Sequence, residues 1–336
     1  MAYKSIKGYS GLAQLGFLFV FLGLGFILAG IAQFSIGFKM VAPGTPMEKM
    51  GEAMLAALKD PKNVFYSRLA QVCGTFFMLF IPAVLFSWIS NGKNKFWLGF
   101  NPYVNIFQIA LGFLIMFTAN IMAAPLAEMT KALLVHLPSL DSYARQLETI
   151  YNDQVVVLSN LKSWPEFLMA LAIMAFFPAL FEELFFRGAM QNFFVKWWKQ
   201  PLIAIIVTSL VFSLIHSSIY LFISRAVLGF VLGLMYFKTK NIWVNVIAHF
   251  LNNAIALAQM FSMSNSKEKI DVSKLDPKVE WWFAIIAIGV LVFLFRFLDR
   301  YSVKNTFKIN AKENLLLAET TSDPFTNNQP NQLGNQ

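Results

Sequence analysis

Charged residues are scarce in this chain of 336 residues. Asp, Glu, Lys and Arg together make up 13%, about half the share found in a soluble globular domain. Apolar residues make up 57%, and phenylalanine alone occurs 36 times. A water-soluble fold could not bury that much apolar surface, so lipid must solvate much of it. The composition excludes an ordinary soluble domain and predicts an integral membrane protein.

Cysteine is almost absent, and acidic residues are outnumbered by basic ones. The single cysteine, Cys73, excludes an internal disulfide and a cysteine-ligated metal cluster. The chain carries 27 Lys and Arg against 18 Asp and Glu, a net charge of +9. Because the basic residues lie in short stretches between apolar runs, they are typical of span anchors rather than of a nucleic-acid surface. We therefore expect membrane lipid as a partner and no nucleic acid.

Long apolar runs recur along the chain at lengths close to the roughly 20 residues of a membrane span. The fifth and sixth runs are short and are separated only by His216-Ser217-Ser218. The pattern predicts an all-α polytopic membrane protein with about eight transmembrane helices, the first of which is a retained span. The runs lie near residues 12–36, 67–89, 104–124, 166–187, 202–217, 219–237, 241–262 and 281–299.

Composition divides the chain into a transmembrane domain, residues 1–303, and a polar C-terminal tail, residues 304–336. The tail is rich in Asn, Gln, Thr and Ser, so it is predicted to be disordered. An even number of spans places both termini on one side, together with three short lysine-containing connections. The opposite loops hold nearly as many basic residues but are longer and also carry acids, so the positive-inside rule favours cytoplasmic termini.

A first polar group interrupts the fourth run. Charges in a bilayer are costly unless they are paired or face a wet cavity. Glu183 and Arg187 are four residues apart with the acid first, the favourable order for a helical ion pair. Glu182 lies about 100° around the helix and is left free to exchange protons. The alternative is a helix end that reaches the interface, where water solvates both acids.

Two of the three histidines lie in the following runs. Phe212 and His216 are four residues apart, as are His249 and Asn253, and Asn245 lies one turn before His249 on the same face. The turn between the fourth and fifth runs centres near Lys199-Gln200-Pro201. Glu182 precedes Lys199 by 17 residues and His216 follows it by 17. If these two segments form an antiparallel helical hairpin, Glu182 and His216 reach the same depth.

These side chains suit hydrolysis of a carbonyl compound, most naturally a peptide bond. A glutamate and a histidine around one water form a general-base arrangement, and a histidine with an asparagine amide is a plausible donor pair for an oxyanion. Glu182, His216 and His249 could instead hold a zinc ion with a bound water. No His-Glu-x-x-His motif requires a metal, and we favour a metal-independent mechanism.

The three groups together resemble the CAAX prenyl protease and bacteriocin-processing family of intramembrane proteases, also called the Abi family. Its motifs are Glu-Glu-x-x-x-Arg, Phe-x-x-x-His and His-x-x-x-Asn/Asp, and the resemblance covers about residues 166–262. It implies a glutamate-dependent endopeptidase, often called a metalloprotease, in an all-helical membrane fold. It also implies that Glu182 and His216 activate water, that His249 and Asn253 stabilise the oxyanion, and that Glu183, Arg187 and Phe212 support them.

The resemblance leaves the substrate open. In eukaryotic relatives a prenylated C-terminal Cys-a-a-X tail loses its last three residues, whereas bacterial relatives are linked to peptide maturation and bacteriocin self-immunity. The composition favours a bacterial cytoplasmic membrane, so we expect a membrane-associated peptide or protein substrate. Two other functions remain open: a proton- or ion-coupled transporter, and a catalytically idle immunity or scaffold protein of the same fold.

Overall fold

The computed structural model describes residues 3–158, 161–264 and 279–322. This part of the chain is helical and contains no strand, apart from an isolated bridge between Lys4 and Ser10. Seven of its helices are long and apolar enough to cross a membrane. They are α1 (Gly11–Met40), α3 (Pro61–Asn91), α4 (Ile106–Leu134), α6 (Trp164–Trp198), α8 (Phe222–Thr239), α9 (Ile242–Ser264) and α10 (Trp281–Ser322).

The remaining helices are shorter or more polar. The fifth apolar run forms α7, Pro201–Leu214, which has only 14 residues. Two helices lie outside the spans: α2 (Met50–Lys59) and α5 (Pro138–Leu158). All eight apolar runs are thus helical, and seven of them reach spanning length. The predicted all-α polytopic membrane fold is confirmed.

Local sequence explains where several helices begin and end. Asn105 and Gln108 form a capping box that starts α4, each side chain bonding to the other residue's backbone N–H. Lys199 and Lys240 adopt left-handed backbone conformations, with φ of 55° and 50°, where α6 and α8 end. Pro201 then starts α7, because a proline fits the first helical turn, where its missing N–H costs nothing. These signals set the tight turn between α6 and α7.

Helix α6 is the centre of the bundle. Its buried side chains form the middle of the largest apolar cluster, which includes Phe181, Phe185, Phe186 and Phe193. Two stretches of α6, Leu171–Phe176 and Leu184–Gln191, are π-helical. Such wide turns are rare and often lie at functional sites. The second one directly follows Glu183 and carries Arg187.

The outer helices turn large apolar side chains outwards. On α1, Phe19 and Ile27 are 65% and 61% exposed, and on α10 Ile285 and Phe293 are 59% exposed. In water such surfaces would drive aggregation, whereas lipid solvates them without cost. Their exposure therefore agrees with a bundle whose outer face contacts the bilayer.

The disorder predicted for the tail is wrong for residues 304–322. Helix α10 continues to Ser322 and is 42 residues long. Ile309 is 3% exposed and packs against Phe96 and Trp97, and Glu313 pairs with Lys196 at 2.9 Å. A polar segment folds here because the rest of the bundle supplies the apolar and charged partners that its own composition lacks. The rest of the predicted tail, 323–336, lies outside the described residues.

Candidate active site

Helix α6 holds three charged residues inside the bundle. Glu182 is 9% exposed, Glu183 is fully buried and Arg187 is 1% exposed. The interfacial arrangement considered as the alternative, with both acids solvated, does not occur. Buried charges destabilise a protein unless partners compensate them, so the contacts of each charged group indicate what it does.

Glu183 is held by partners from two helices. Arg187 Nη1 donates to its Oε1 at 3.0 Å, and Asn245 Nδ2 donates to its Oε2 at 3.1 Å. His249 Nδ1 lies 2.9 Å from Oε1. A carboxylate that accepts from a guanidinium and an amide is the ionised form, so the His249 nitrogen is the donor. Glu183 therefore joins α6 to α9 and has no free oxygen for a substrate.

Arg187 links α6 to α8. Its Nη2 donates to the Gly229 carbonyl oxygen at 3.0 Å. Its guanidinium carbon lies 4.7 Å from the centre of the Phe212 ring, close enough for a cation–π interaction. The Phe212 ring centre also lies 4.7 Å from that of His216. Phe212 therefore contacts both the guanidinium and the imidazole, and supports the site through packing.

Glu182 lies between two imidazoles. Its Oε2 is 3.8 Å from His216 Nε2 and 3.9 Å from His249 Nε2. Both separations are too long for a direct hydrogen bond, but one water can bridge groups at this distance. The structure therefore brings Glu182, His216 and His249 together, from α6, the end of α7 and α9.

His216 lies just beyond the C-terminal end of α7. The helix stops at Leu214, and Ser217 follows with a φ of 52°. His216 Nδ1 lies 2.7 Å from the Phe212 carbonyl oxygen. A carbonyl can only accept, so Nδ1 carries the hydrogen and the neutral ring has its lone pair on Nε2. The histidine thus caps an otherwise unpaired helix-end carbonyl and turns Nε2 towards Glu182.

Asn252 and Asn253 are neighbours with different surroundings. Asn252 shares a hydrogen bond with Asn120 of α4. Asn253 is half-buried, and its side chain forms no hydrogen bond within the described parts of the chain. It lies one turn after His249 on the same face of α9. Its amide donors therefore remain available to a bound molecule.

Comparison with known proteins finds one matching family. Residues 164–255 match the family described as type II CAAX prenyl endopeptidase Rce1-like, and this segment contains Glu182, His216, His249 and Asn253. We refer to this segment as the Rce1-like domain because of that match. The family is a protease family, and the resemblance stated from the motifs is confirmed.

One curated relative of the Rce1-like domain is an uncharacterized protein, YpbD of Bacillus subtilis (strain 168). It is 35% identical over 86 residues, which are 24% of this chain and 41% of the relative. The chain thus spans about two fifths of the length of the relative it matches. No solved structure matches. The comparisons therefore support the domain and its fold class and leave the substrate open.

Several contacts of the Rce1-like domain were not predicted from the sequence. Asn245 was placed on the His249 face, but its bond to Glu183 was not foreseen. Arg225 Nη1 donates to the His216 carbonyl oxygen at 3.3 Å. Residues of α5 hold the loop after His216: Ser218 Oγ donates to Glu148 at 3.2 Å and Tyr220 Oη donates to Asp141 at 2.6 Å. Only the contact of Asn245 could have been suspected from the sequence, because Asn245 lies one turn before His249.

The three nitrogen and oxygen atoms around Glu182 do not fit a zinc site. Ligand atoms of tetrahedral zinc, with bonds of about 2.0–2.1 Å, lie about 3.3 Å apart. Glu182 Oε2 is 3.8 Å and 3.9 Å from the two imidazole nitrogens. Across the described residues, no group of three or more His, Cys, Asp or Glu side chains could hold a metal ion. Water activation at this site is therefore assigned to Glu182 and His216 without a metal.

Proposed function

We propose that the Rce1-like domain is an intramembrane endopeptidase that hydrolyses a peptide bond of a membrane-associated peptide or protein. The observation that carries this proposal is the 3.8 Å separation of Glu182 Oε2 from His216 Nε2. A water held between these atoms can donate one hydrogen to the Glu182 carboxylate and the other to the unprotonated Nε2 of His216. That arrangement is a general base.

In the proposed reaction, Glu182 takes one proton from the bridging water while His216 Nε2 orients it. The water oxygen attacks the carbonyl carbon of the scissile bond, and the carbonyl electrons move to the oxygen. When this tetrahedral intermediate collapses, the carbon–nitrogen bond breaks. Glu182 then passes its proton to the leaving amine. The carboxylate is regenerated, and no other group is consumed.

His249 and Asn253 are proposed to stabilise the oxyanion. Asn253 supplies amide hydrogens that have no other partner in the described residues. His249 donates through Nδ1 to Glu183 at 2.9 Å, so a donor role for Nε2 requires a proton on both ring nitrogens. The charge of such an imidazolium lies beside the carboxylates of Glu183 and Glu182. Donors of this kind stabilise a transition state best when they are fixed beforehand, and Glu183 fixes this ring.

The clustering of Glu182, His216 and His249 at one point favours proteolysis over transport. A proton or ion relay needs polar groups strung between the two membrane faces. Here Glu182 lies within 3.9 Å of both histidines. The Glu183 carboxylate is already bonded to Arg187 and to side chains of α9. A single water-sized site suits hydrolysis. A catalytically idle protein of the same fold would retain this geometry, so activity has to be measured.

The proposed location is a bacterial cytoplasmic membrane with both termini in the cytoplasm. Substrate proteins in that membrane that carry no prenyl group would need another feature for recognition, such as a transmembrane span or an amphipathic segment. The test is proteomics of protein termini in cells that produce either the native chain or the Glu182→Gln variant. New termini in membrane-associated proteins should appear only with the native chain. Identical termini in both cells, at matched protein levels, would contradict the proposal.

A further inference from the structure

A cavity of about 350 Å³ lies at the end of the bundle where α6 and α8 end and α9 begins. The extended part of α10 forms one wall. Gln191, at its floor, follows Glu182 by nine residues, which is about 13 Å along an α-helix. This α6–α10 cavity, lined by Gln191, Asn192, Lys196, Lys199, Tyr236 and Lys240 among others, is separate from the candidate active site.

The cavity carries more positive than negative charge. Its lining contains three lysines and one glutamate, Glu313. Lys196 pairs with Glu313 at 2.9 Å, and Lys240 lies 3.9 Å from Glu313 and donates to Asn310 at 2.7 Å. The Lys199 ammonium group has no charged or hydrogen-bonding partner in the described residues. One carboxylate cannot neutralise three ammonium groups, so the cavity suits an anion.

Tyr236 gives the lining a hydrogen-bond donor. Its hydroxyl accepts from Asn192 Nδ2 at 2.7 Å, which leaves its own hydrogen to donate to a bound anion. Gln191 is 1% exposed, and its Nε2 donates to the Gly233 carbonyl oxygen at 2.9 Å. Its Oε1 is buried beside Gly233, so Tyr236 rather than Gln191 offers the polar group that an anion can use.

The mouth of the cavity lies at the level of a membrane surface. It is at the ends of three spans, and Trp97 is part of its lining, while Trp197 and Trp198 end α6 close by. Tryptophans at span ends mark the headgroup layer. Basic pockets at the ends of transmembrane helices bind lipid phosphates. Phe96, Val195 and Ile309 form an apolar part of the cavity wall, which can contact the less polar part of such a ligand.

We infer that the α6–α10 cavity binds the phosphate of an anionic phospholipid. The phosphate lies among Lys199, Lys240 and Lys196, and the Tyr236 hydroxyl donates to it. Phosphatidylglycerol is a simple lipid of this class. This site does not depend on the proposed proteolysis, because binding is measured without a substrate.

The test is native mass spectrometry of the full-length protein in detergent, titrated with phosphatidylglycerol, with phosphatidylcholine or with inorganic phosphate. One phosphatidylglycerol should bind in preference to phosphatidylcholine. Lys199→Gln should weaken binding about fivefold, the effect of one lysine near an anionic headgroup. Lys93→Gln is the matched control, since it removes the same charge at the same end of the bundle but outside the cavity, and it should leave affinity unchanged.

A steric variant separates the cavity from general surface charge. Val195→Phe keeps every lysine and fills space in the lining, so it should also weaken phosphatidylglycerol binding. Equal losses in Lys93→Gln and Lys199→Gln, or full binding to Val195→Phe, would overturn the proposal. Site-dependent binding of inorganic phosphate without lipid preference would overturn the lipid source and point to a soluble phosphate.

Discussion

Two adjacent glutamates in α6 meet different surroundings. Glu183 is fully buried, and Arg187, Asn245 and His249 engage its oxygens. Glu182 keeps an oxygen 3.8 Å from His216 Nε2, which leaves room for water. The difference arises because successive helical residues point about 100° apart. One acid faces its partners on α6 and α9, and the other faces the site.

Replacing each acid by glutamine should separate their roles. Glu183→Gln breaks a buried ion pair from one side, which costs about 3–5 kcal/mol, so the yield of folded protein in membranes should fall. Glu182→Gln should leave that yield near normal and reduce cleavage about 10²–10⁴-fold, the contribution of a general base. Yield and cleavage of a substrate found by terminal proteomics are measured together. Full activity of Glu182→Gln would refute its role as the base.

Neighbouring asparagines give a matched test of the oxyanion site. Asn253→Ala removes a donor that has no other described partner, and should lower kcat about 10²–10³-fold, as loss of an oxyanion donor does. Asn252→Ala removes only the contact with Asn120 and should cost about 1 kcal/mol of stability with little change in kcat. Equal kcat values for both variants would argue against the proposed role of Asn253.

Elemental analysis tests the metal-independent mechanism. Active protein purified in detergent should contain no stoichiometric zinc and should keep its activity in a chelator, because Glu182 and His216 activate water together. If activity is lost on chelation and returns with one zinc per chain, then Glu182, His216 and His249 are ligands instead.

At the scale of elements, α5 holds the loop that carries His216. Tyr220 is 7% exposed, packs with Ala144 of α5 and donates a hydrogen bond to Asp141. Ser218 bonds to Glu148, about two helical turns after Asp141. The position of His216 therefore depends partly on a helix outside the spans.

This anchor should weaken in acid. The hydrogen bond from Tyr220, with a second from Arg145, lowers the pKa of the Asp141 carboxyl below its ordinary value. Because the pKa of Asp141 is lowered in the folded state, the contact contributes its full stabilisation above the ordinary pKa of an aspartate. Its contribution is lost as the pH falls through the lowered value. Tyr220→Phe removes the hydrogen bond that lowers the pKa of Asp141 most. Asp141 should then take up its proton at a higher pH, and α5 should loosen at a higher pH than in the native protein.

Hydrogen exchange of α5, corrected for the intrinsic effect of pH on exchange, measures this loosening. Tyr143→Phe is the control, because Tyr143 is 54% exposed and its hydroxyl forms no hydrogen bond with Asp141 in the described residues. It should behave like the native chain. A Tyr220→Phe profile that coincides with the native profile at every pH would show that Asp141 does not anchor the loop.

At the scale of the whole molecule, the N-terminal segment and the extension of α10 pack at one end of the bundle. Ile6 contacts the cluster formed by Phe96, Trp97 and Ile309. Ile6 and Ile309 therefore lie at the same end of the bundle. The basic residues concentrated there predict that this end faces the cytoplasm.

Cysteine labelling tests that orientation. In a Cys73→Ser background, Lys62→Cys lies at the start of α3, and Lys93→Cys follows its end. An impermeant maleimide should label Lys62→Cys in intact cells, and should label Lys93→Cys only after the membrane is opened. The reverse pattern would invert the topology. Labelling of both sites in intact cells would indicate a mixed population.

The sequence alone determined the membrane fold and the residues worth testing. Apolar run length reflects the thickness of the bilayer, and the four-residue spacing of Glu183–Arg187 is a local feature of a helix. The Phe212–His216 contact is also local, although His216 lies just beyond the end of α7. The turn at Lys199 and Pro201 was also readable, because it depends on neighbouring residues. These predictions needed no knowledge of which helices touch.

Only the tertiary structure decided how the helices meet. Whether Glu182 and His216 approach within reach of one water depends on the wide turns of α6, the early end of α7 and the packing of α7 and α9 against α6. The contact of Glu183 with His249 joins residues 66 positions apart, and the order of the 304–322 segment depends on Phe96, Trp97 and Lys196. Such contacts arise from packing between distant segments, which local composition and spacing do not encode.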